Sequence, residues 1–132
     1  MTKTIRLGAG SGFQGDRIEP AVELARDGAL DYLVFECLAE RTIAIAQLAK
    51  LENPDAGFDP LLERRFRAVL PLCAAQGVKI VTNMGAANPL AAARRVATIC
   101  RELGLSDQRV AAVTGDDVLD ALVRQTKFAA DS

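Results

Sequence analysis

The chain has 132 residues, of which 16 are basic, 17 are acidic and 50% are apolar, and this is the length and composition of one globular domain. Because the formal net charge is -1 and like charges form no blocks, neither nucleic acid nor an anionic membrane surface is an expected partner. The absence of histidine excludes Ser-His and Cys-His nucleophile pairs and imidazole-ligated zinc hydrolases.

The cysteines and the N-terminal sequence bear on the cellular compartment of the protein. Cys37, Cys73 and Cys100 are odd in number and widely spaced, which predicts free thiols rather than a disulfide framework or a structural zinc site. The N-terminus is charged where a signal peptide needs an apolar run, and no stretch reaches the ~20 apolar residues of a membrane span. These features favour a cytoplasmic protein.

Short apolar runs alternate with alanine-rich helical stretches along the chain. Four runs are predicted strands: 4–9, 32–37, 78–83 and 109–114. The second and third are almost continuous in apolar residues, which is typical of strands covered on both faces of a parallel sheet. Helix-start signals separate the strands, and the predicted starts are Asp16, Ala39, Asp59–Pro60, Asn88–Pro89 and Asp116–Asp117.

This order predicts an α/β fold, a three-layer parallel sheet of about four strands with helices on both faces. A partial TIM-like barrel is the alternative, because the same βα units build both folds. A barrel fragment would leave edges and apolar faces uncovered and should form a homo-oligomer. In either fold the carboxyl ends of the strands share one edge, where ligands bind. Residues 1–132 are predicted to form a single α/β unit.

The turn after the first predicted strand is rich in glycine. Gly10, Gly12 and Gly15 satisfy G-x-G-x-x-G, and Glu36 lies 21 residues further on, so the pattern resembles a dinucleotide-binding fingerprint. Gly15, however, precedes the predicted helix cap Asp16 instead of lying inside the helix. Three alternatives therefore stay open: a nicotinamide or flavin dinucleotide, another phosphate or carboxylate ligand, and a turn without a ligand.

Polar residues at the other strand ends complete the predicted site. Glu36 is predicted to act as a catalytic acid or base, or else to form an ion pair with Arg17 or Arg41. Asp116 is a second candidate catalytic carboxylate, with helix capping as its alternative. The predicted ligand-binding residues are Gly10, Ser11, Gly12, Gly15, Asp16, Arg17, Asn83, Asn88 and Thr114. Carboxylates in these turns could also hold Mg²⁺, but no metal ligand set is predicted, and the identity of any cofactor stays open.

Structural roles compete with functional ones for several residues. Asn88 lies where the cap of the following helix belongs. Cys37 is predicted to be a small buried apolar residue rather than a nucleophile. The pairs 64–65 and 94–95, together with Arg67, are predicted to be solvated helix faces.

Four longer stretches resemble the acyclic terpene utilisation protein A family: 5–17, 31–47, 80–89 and 113–118. The resemblance implies a role in the catabolism of acyclic terpenes such as citronellol and geraniol, beside a biotin-dependent geranyl-CoA carboxylase. It implies an acyl-CoA or carboxylated terpenoid as the ligand and assigns no catalytic residue. Family members are several hundred residues long, so the chain is expected to match the opening part of their N-terminal domain. The alternative is a non-catalytic module that binds pathway enzymes.

Overall fold

The computed structural model describes the backbone of residues 2–130 and the side chains of residues 2–125. In this described part of the chain the elements follow in the order β1 (Leu7–Ser11), α1 (Glu19–Asp27), β2 (Tyr32–Phe35), α2 (Glu40–Glu52), α3 (Leu62–Gln76), β3 (Lys79–Thr82), α4 (Pro89–Glu102) and α5 (Leu119–Ala130). The alternation of strands and helices confirms the predicted α/β class.

The three strands form one parallel sheet in the order β1–β2–β3. Gly8, Leu33 and Ile80 are aligned across it, and a bulge interrupts the pairing of β1 between Ala9 and Ser11. Spatial order therefore equals chain order. Because crossovers between parallel strands are right-handed, the helices that connect such strands are expected on the same face of the sheet.

That covered face contains the core. Leu33 and Phe35 of β2 are buried beneath the helices, together with Val69 of α3 and Ile99 of α4. Helix α1 packs on β1 and on α3, and α3 packs on α4. Gly10 permits the close approach of β1 to β2, because a Cβ atom at this position would lie 2.6 Å from the Phe35 ring.

The opposite face of the sheet has no helix on it in the described part of the chain. Leu7 is 68% exposed and Val81 is 51% exposed, and both side chains lie on this face. The predicted third layer is therefore not observed. The physical reason is the strand order, which gives every crossover the same direction and leaves no connection to cover the second face.

The predicted fourth strand is also not formed. Residues 109–114 have no regular secondary structure, and α5 packs on none of the other helices and strands of the described residues. Two alanines separate Val110 from Val113, so the segment offers little apolar area to offset the entropy cost of ordering a strand. No helix among the described residues is long and apolar enough to cross a membrane.

Candidate functional site

The carboxyl ends of the strands meet at one edge of the sheet, as a parallel arrangement requires. A surface pocket of about 320 Å³ lies there, between the β1–α1 loop and the start of α2. Its walls include both apolar and polar side chains, among them Phe13, Leu38, Ile45, Gln14, Glu36, Arg41 and Thr42. The pocket therefore offers both an apolar surface and a cationic group to a ligand.

Glu36 is an exposed carboxylate on the wall of this pocket. Its Oε1 atom accepts hydrogen bonds from Asn83 Nδ2 at 2.9 Å and from the Leu38 amide at 3.0 Å. These two bonds, the one from Asn83 first, lower the pKa of Glu36. The side chain is therefore ionised at neutral pH and can accept, but not donate, a proton there.

The predicted ion pair of Glu36 with Arg17 or Arg41 is not observed among the described residues. The side-chain partner of Glu36 is instead Asn83, which donates a hydrogen bond to it. An exposed carboxylate keeps its hydration and needs no cation. Asn83 also accepts a hydrogen bond from the Cys37 amide at 2.8 Å through Oδ1, so it fixes the end of β3 to the end of β2. The structure thus brings Glu36 and Asn83 together.

The glycine-rich loop already holds an internal carboxylate. Asp16 accepts hydrogen bonds from the Gly12 amide at 3.0 Å and from the Arg17 amide at 2.9 Å. These bonds, that from Gly12 first, lower the pKa of Asp16. The prediction that Asp16 caps α1 is wrong, because the helix begins at Glu19 after an N-cap at Ile18. A bound anion would have to displace Asp16 from the Gly12 amide.

Ser11 and Gly15 have different surroundings in this loop. Ser11 is buried, and its hydroxyl lies 3.1 Å from the Glu36 carbonyl, to which it donates, and 3.2 Å from Cys37 Sγ. Gly15 is exposed and belongs to the pocket wall. Ser11 therefore joins β1 to β2, and its hydroxyl is not turned toward solvent.

Arg65 of α3 lies fully buried behind this loop. Its Nη2 atom donates to the Gln14 carbonyl at 2.9 Å and to the Asp16 carbonyl at 2.8 Å, and its Nη1 atom donates to Cys37 Sγ at 3.1 Å. The prediction that Arg65 belongs to a solvated face is wrong. The signal that could have placed it is helical spacing, since Arg65 follows Leu62 by three residues and precedes Val69 by four.

Asp59 and Cys37 complete a buried polar cluster with Arg65 and Ser11. Asp59 accepts from the Leu61 amide at 2.7 Å through Oδ1, while Asp59 Oδ2 and Arg65 Nε have no hydrogen-bond partner among the described residues. Burial raises the pKa of the Asp59 carboxyl and also that of the Cys37 thiol. Cys37 is buried, as predicted, but in polar surroundings, and its raised pKa disfavours the nucleophilic thiolate.

Three other predicted site residues lie elsewhere. Asn88 caps α4 by accepting from the Ala91 amide at 3.2 Å, and its Nδ2 atom donates to the carbonyls of Pro54 and Ala56. Thr114 and Asp116 lie in the exposed segment that was predicted to begin with a strand, and neither lines the pocket. Within the described residues no group of three or more Cys, Asp or Glu side chains could hold a metal ion.

A second hollow of about 370 Å³ lies between α1 and α3, away from the strand ends. Ile18, Val22 and Ala68 form its apolar part, and charged side chains such as Arg64 lie around them. The strand-end pocket, by contrast, contains Glu36, whose pKa is lowered, and Cys37, whose pKa is raised. Perturbed groups concentrate at functional sites, so the strand-end pocket is the better candidate.

Comparison with known proteins gives one family. The protein-family model described as "Acyclic terpene utilisation family protein AtuA" matches residues 5–131 of the chain. This range includes every strand of the sheet and the whole pocket. No significant match was found among curated proteins or among solved structures.

Proposed function

This chain belongs to the acyclic terpene utilisation family AtuA, and from that premise we propose that it binds an acyl-CoA or carboxylated terpenoid intermediate in the strand-end pocket. We place this role in the cytoplasm, in line with the three free cysteines. Family membership supports the pathway, and the pocket supports the class of ligand. No reaction is assigned, because the lowered pKa of Glu36 and the raised pKa of Cys37 both move these groups away from proton exchange near neutral pH.

The observation that carries the proposal is the mixed character of the pocket wall. Phe13 and Ile45 are exposed apolar side chains, and they lie beside Leu38. Arg41, on the first turn of α2, adds a guanidinium group to the same wall. An acyclic terpenoid acid combines an apolar chain with a carboxylate, and its CoA thioester adds phosphate groups. Both parts of such a ligand would find a complementary surface.

Glu36 has an orienting role in this proposal. Its ionised carboxylate, held by Asn83 and by the Leu38 amide, can accept a hydrogen bond from a hydroxyl or amide group of the ligand. The same negative charge keeps an anionic group away from its own side of the pocket. The ligand carboxylate or phosphate would therefore be directed toward Arg41.

A dinucleotide has weaker support than an acyl-CoA or acid. A pyrophosphate in the glycine-rich loop needs free backbone amides, and the Gly12 amide is bound to Asp16. Bringing a diphosphate to this loop would also place it beside the Asp16 carboxylate. The non-catalytic module remains the second candidate, and it is favoured by the apolar face of the sheet that no helix among the described residues covers.

The test is a binding titration by calorimetry with four probes: a monoterpenoid acid, its CoA thioester, the corresponding alcohol and inorganic phosphate. We expect the acid and the thioester to bind, and Arg41→Gln to weaken both about tenfold, a loss of about 1.4 kcal/mol. Arg101→Gln, at an exposed position of α4, is the matched control and should leave binding unchanged. The proposal is wrong if neither ligand binds, or if both arginine variants behave alike.

A further inference from the structure

We propose that the ligand of the strand-end pocket carries a hydroxyl group close to its acidic end, and that Glu36 binds this hydroxyl group. The ligand class is then a hydroxylated terpenoid acid, or its CoA thioester, rather than the unsubstituted acid. This proposal rests on the proposed function above and narrows it, because it names the chemical group that one atom of the pocket wall selects.

One carboxylate oxygen of Glu36 is free to bind a ligand. Both hydrogen bonds that hold the side chain end on Oε1, one from Asn83 Nδ2 at 2.9 Å and one from the Leu38 amide at 3.0 Å. Oε2 accepts no hydrogen bond from any described residue, and the exposed side chain belongs to the pocket wall. Since an ionised carboxylate oxygen only accepts, Oε2 requires a donor from the ligand.

This acceptor is fixed by the protein itself. Asn83 Oδ1 accepts from the Cys37 amide at 2.8 Å. Because a backbone amide only donates, this bond determines that the Nδ2 end of Asn83 faces Glu36. The Glu36 carboxylate is therefore held from two segments, the residues after β2 and the end of β3. A fixed acceptor binds its donor with little further loss of side-chain freedom, which favours selective binding.

The other charge on the pocket wall restricts the kind of donor. Among the described residues that line the pocket, Arg41 is the one other charged side chain. It repels a ligand ammonium group and attracts a carboxylate or phosphate, whereas Glu36 repels an anion. A neutral donor therefore fits beside Glu36. In a ligand chain built from carbon, hydrogen and oxygen, that donor is a hydroxyl group.

The other polar side chains on the wall do not select a donor in this way. Thr42 Oγ1 accepts from the Ala39 amide at 2.7 Å and donates to the Ala39 carbonyl at 2.9 Å, so its hydroxyl is occupied. Gln14 carries a side-chain amide, which donates as well as accepts and does not distinguish a hydroxyl from an ether. Glu36 is thus the group that makes the pocket selective.

The hydroxyl group belongs near the acidic end of the ligand. Arg41 and Ile45 lie one turn apart on the same face of α2, and Ile45 is farther along the helix. Glu36 precedes the helix, at the end of β2. An acid that is bound by Arg41 and extends its apolar chain along Ile45 moves the far end of that chain away from Glu36. A β-hydroxy acid keeps both polar groups at the strand end.

The test compares four monoterpenoid acids by calorimetric titration of the full chain: the unsubstituted acid and its β-hydroxy, β-methoxy and ω-hydroxy derivatives. The ether oxygen of the β-methoxy acid accepts but cannot donate. We expect the β-hydroxy acid to bind about tenfold more tightly than the unsubstituted acid, because it forms a hydrogen bond to a charged group. The β-methoxy and ω-hydroxy acids should bind no more tightly than the unsubstituted acid.

Glu36→Gln changes the character of the free atom. Oε1 can still accept from Asn83 and from the Leu38 amide, while an NH₂ group replaces Oε2. The preference for the β-hydroxy acid should fall below about threefold, and the β-methoxy acid should gain affinity relative to the unsubstituted acid. Glu40→Gln is the matched control, since Glu40 lies in the first turn of α2 but not on the pocket wall. It should keep the tenfold preference.

The outcomes separate this proposal from the proposed function. If none of the acids binds, both are wrong. If the acids bind without preference for the β-hydroxy form, or if the β-methoxy acid binds wild type as tightly as the β-hydroxy acid, only the hydroxyl proposal is wrong. A preference that persists in Glu36→Gln or disappears in Glu40→Gln also overturns it. Circular dichroism melts check the folding of both variants, and the comparison of acids on wild type decides the question without them.

Discussion

Arg65 joins α3 to two other segments, the β1–α1 loop and the residue Cys37 after β2, through one buried side chain, and its removal should be costly. In Arg65→Met the carbonyls of Gln14 and Asp16 lose their donor, and buried acceptors without partners cost about 1–3 kcal/mol each. We expect the free energy of unfolding to fall by about 2–4 kcal/mol in urea denaturation. Arg64→Met is the control at an exposed position and should change it by less than about 0.5 kcal/mol. Equal effects of the two variants would contradict the assigned contacts.

Two glycines of the β1–α1 region give a matched pair of substitutions. In Gly10→Ala the new methyl group would lie 2.6 Å from the Phe35 ring, whereas a Cβ at Gly12 meets no atom within 4 Å. Overpacking typically costs about 1–3 kcal/mol, so Gly10→Ala should lower the melting temperature and Gly12→Ala should not. Calorimetric melts check this. A tolerated Gly10→Ala would mean that Phe35 can move away.

The thiol of Cys73 should make stability depend on pH in the alkaline range. Burial raises its pKa from 9.0 to about 11 in the folded chain, so the thiol form favours folding. This contribution is complete below the unfolded pKa and is lost as pH rises through the folded one. The difference in free energy of unfolding between wild type and Cys73→Val should therefore shrink with rising pH above about 9. Urea denaturation of both proteins at several alkaline pH values measures this difference. A difference that does not change with pH would contradict the raised pKa of the Cys73 thiol.

At the scale of elements, the local cap signal is correct at Asn88 and wrong at Asp16, and contacts between distant segments were not predicted. The pair Asn88–Pro89 predicts the start of α4, and the structure confirms it with a bond from the Ala91 amide. The two bonds from Asn88 to the carbonyls of Pro54 and Ala56 join segments more than thirty residues apart. No local pattern encodes such contacts, so the sequence predicts the cap alone. We call the two additional bonds the clamp, and Asn88 makes it as well as the cap.

Asn88 allows the cap and the clamp to be separated. Asn88→Asp keeps an acceptor for the Ala91 amide but loses the two donations, whereas Asn88→Ala loses all three bonds. A lost cap costs about 1 kcal/mol, and the two buried bonds about 1 kcal/mol each. We expect the order wild type, Asn88→Asp, Asn88→Ala in urea denaturation. Equal stability of wild type and Asn88→Asp would indicate that the two donated bonds contribute nothing, and equal stability of the two variants would indicate that the cap contributes nothing.

An apolar run that is typical of a strand does not by itself determine whether a strand forms. The apolar runs of β2 and β3 resemble the run at residues 109–114, yet only the first two form strands, because a strand needs a neighbour and enough buried area. The convergence of Glu36 and Asn83 follows from parallel order and could be predicted. The environment of Cys37 depends on α3, which approaches from a distant part of the chain, and could not.

At the scale of the whole molecule, the sheet with α1, α3 and α4 should be stable without the last part of the chain. Helix α5 packs on no other helix or strand of the described residues, and the ion pair between Lys50 and Asp117 is long, at 3.5 Å, and exposed. Exposed pairs of this kind contribute little. We therefore expect a chain that ends at Ser106 to keep its cooperative melt with nearly the same melting temperature.

The control is a chain that ends at Ala87, which lacks α4 and with it the buried side chains of Val96 and Ile99. Removing that much apolar area from the core should abolish the cooperative transition, because fully burying each such side chain contributes about 1.5–3 kcal/mol. Thermal melts followed by circular dichroism compare the two truncations with the full chain. If the chain ending at Ser106 also melts without cooperativity, residues beyond 106 stabilise the core, and the exposed segment must then pack on the sheet in solution.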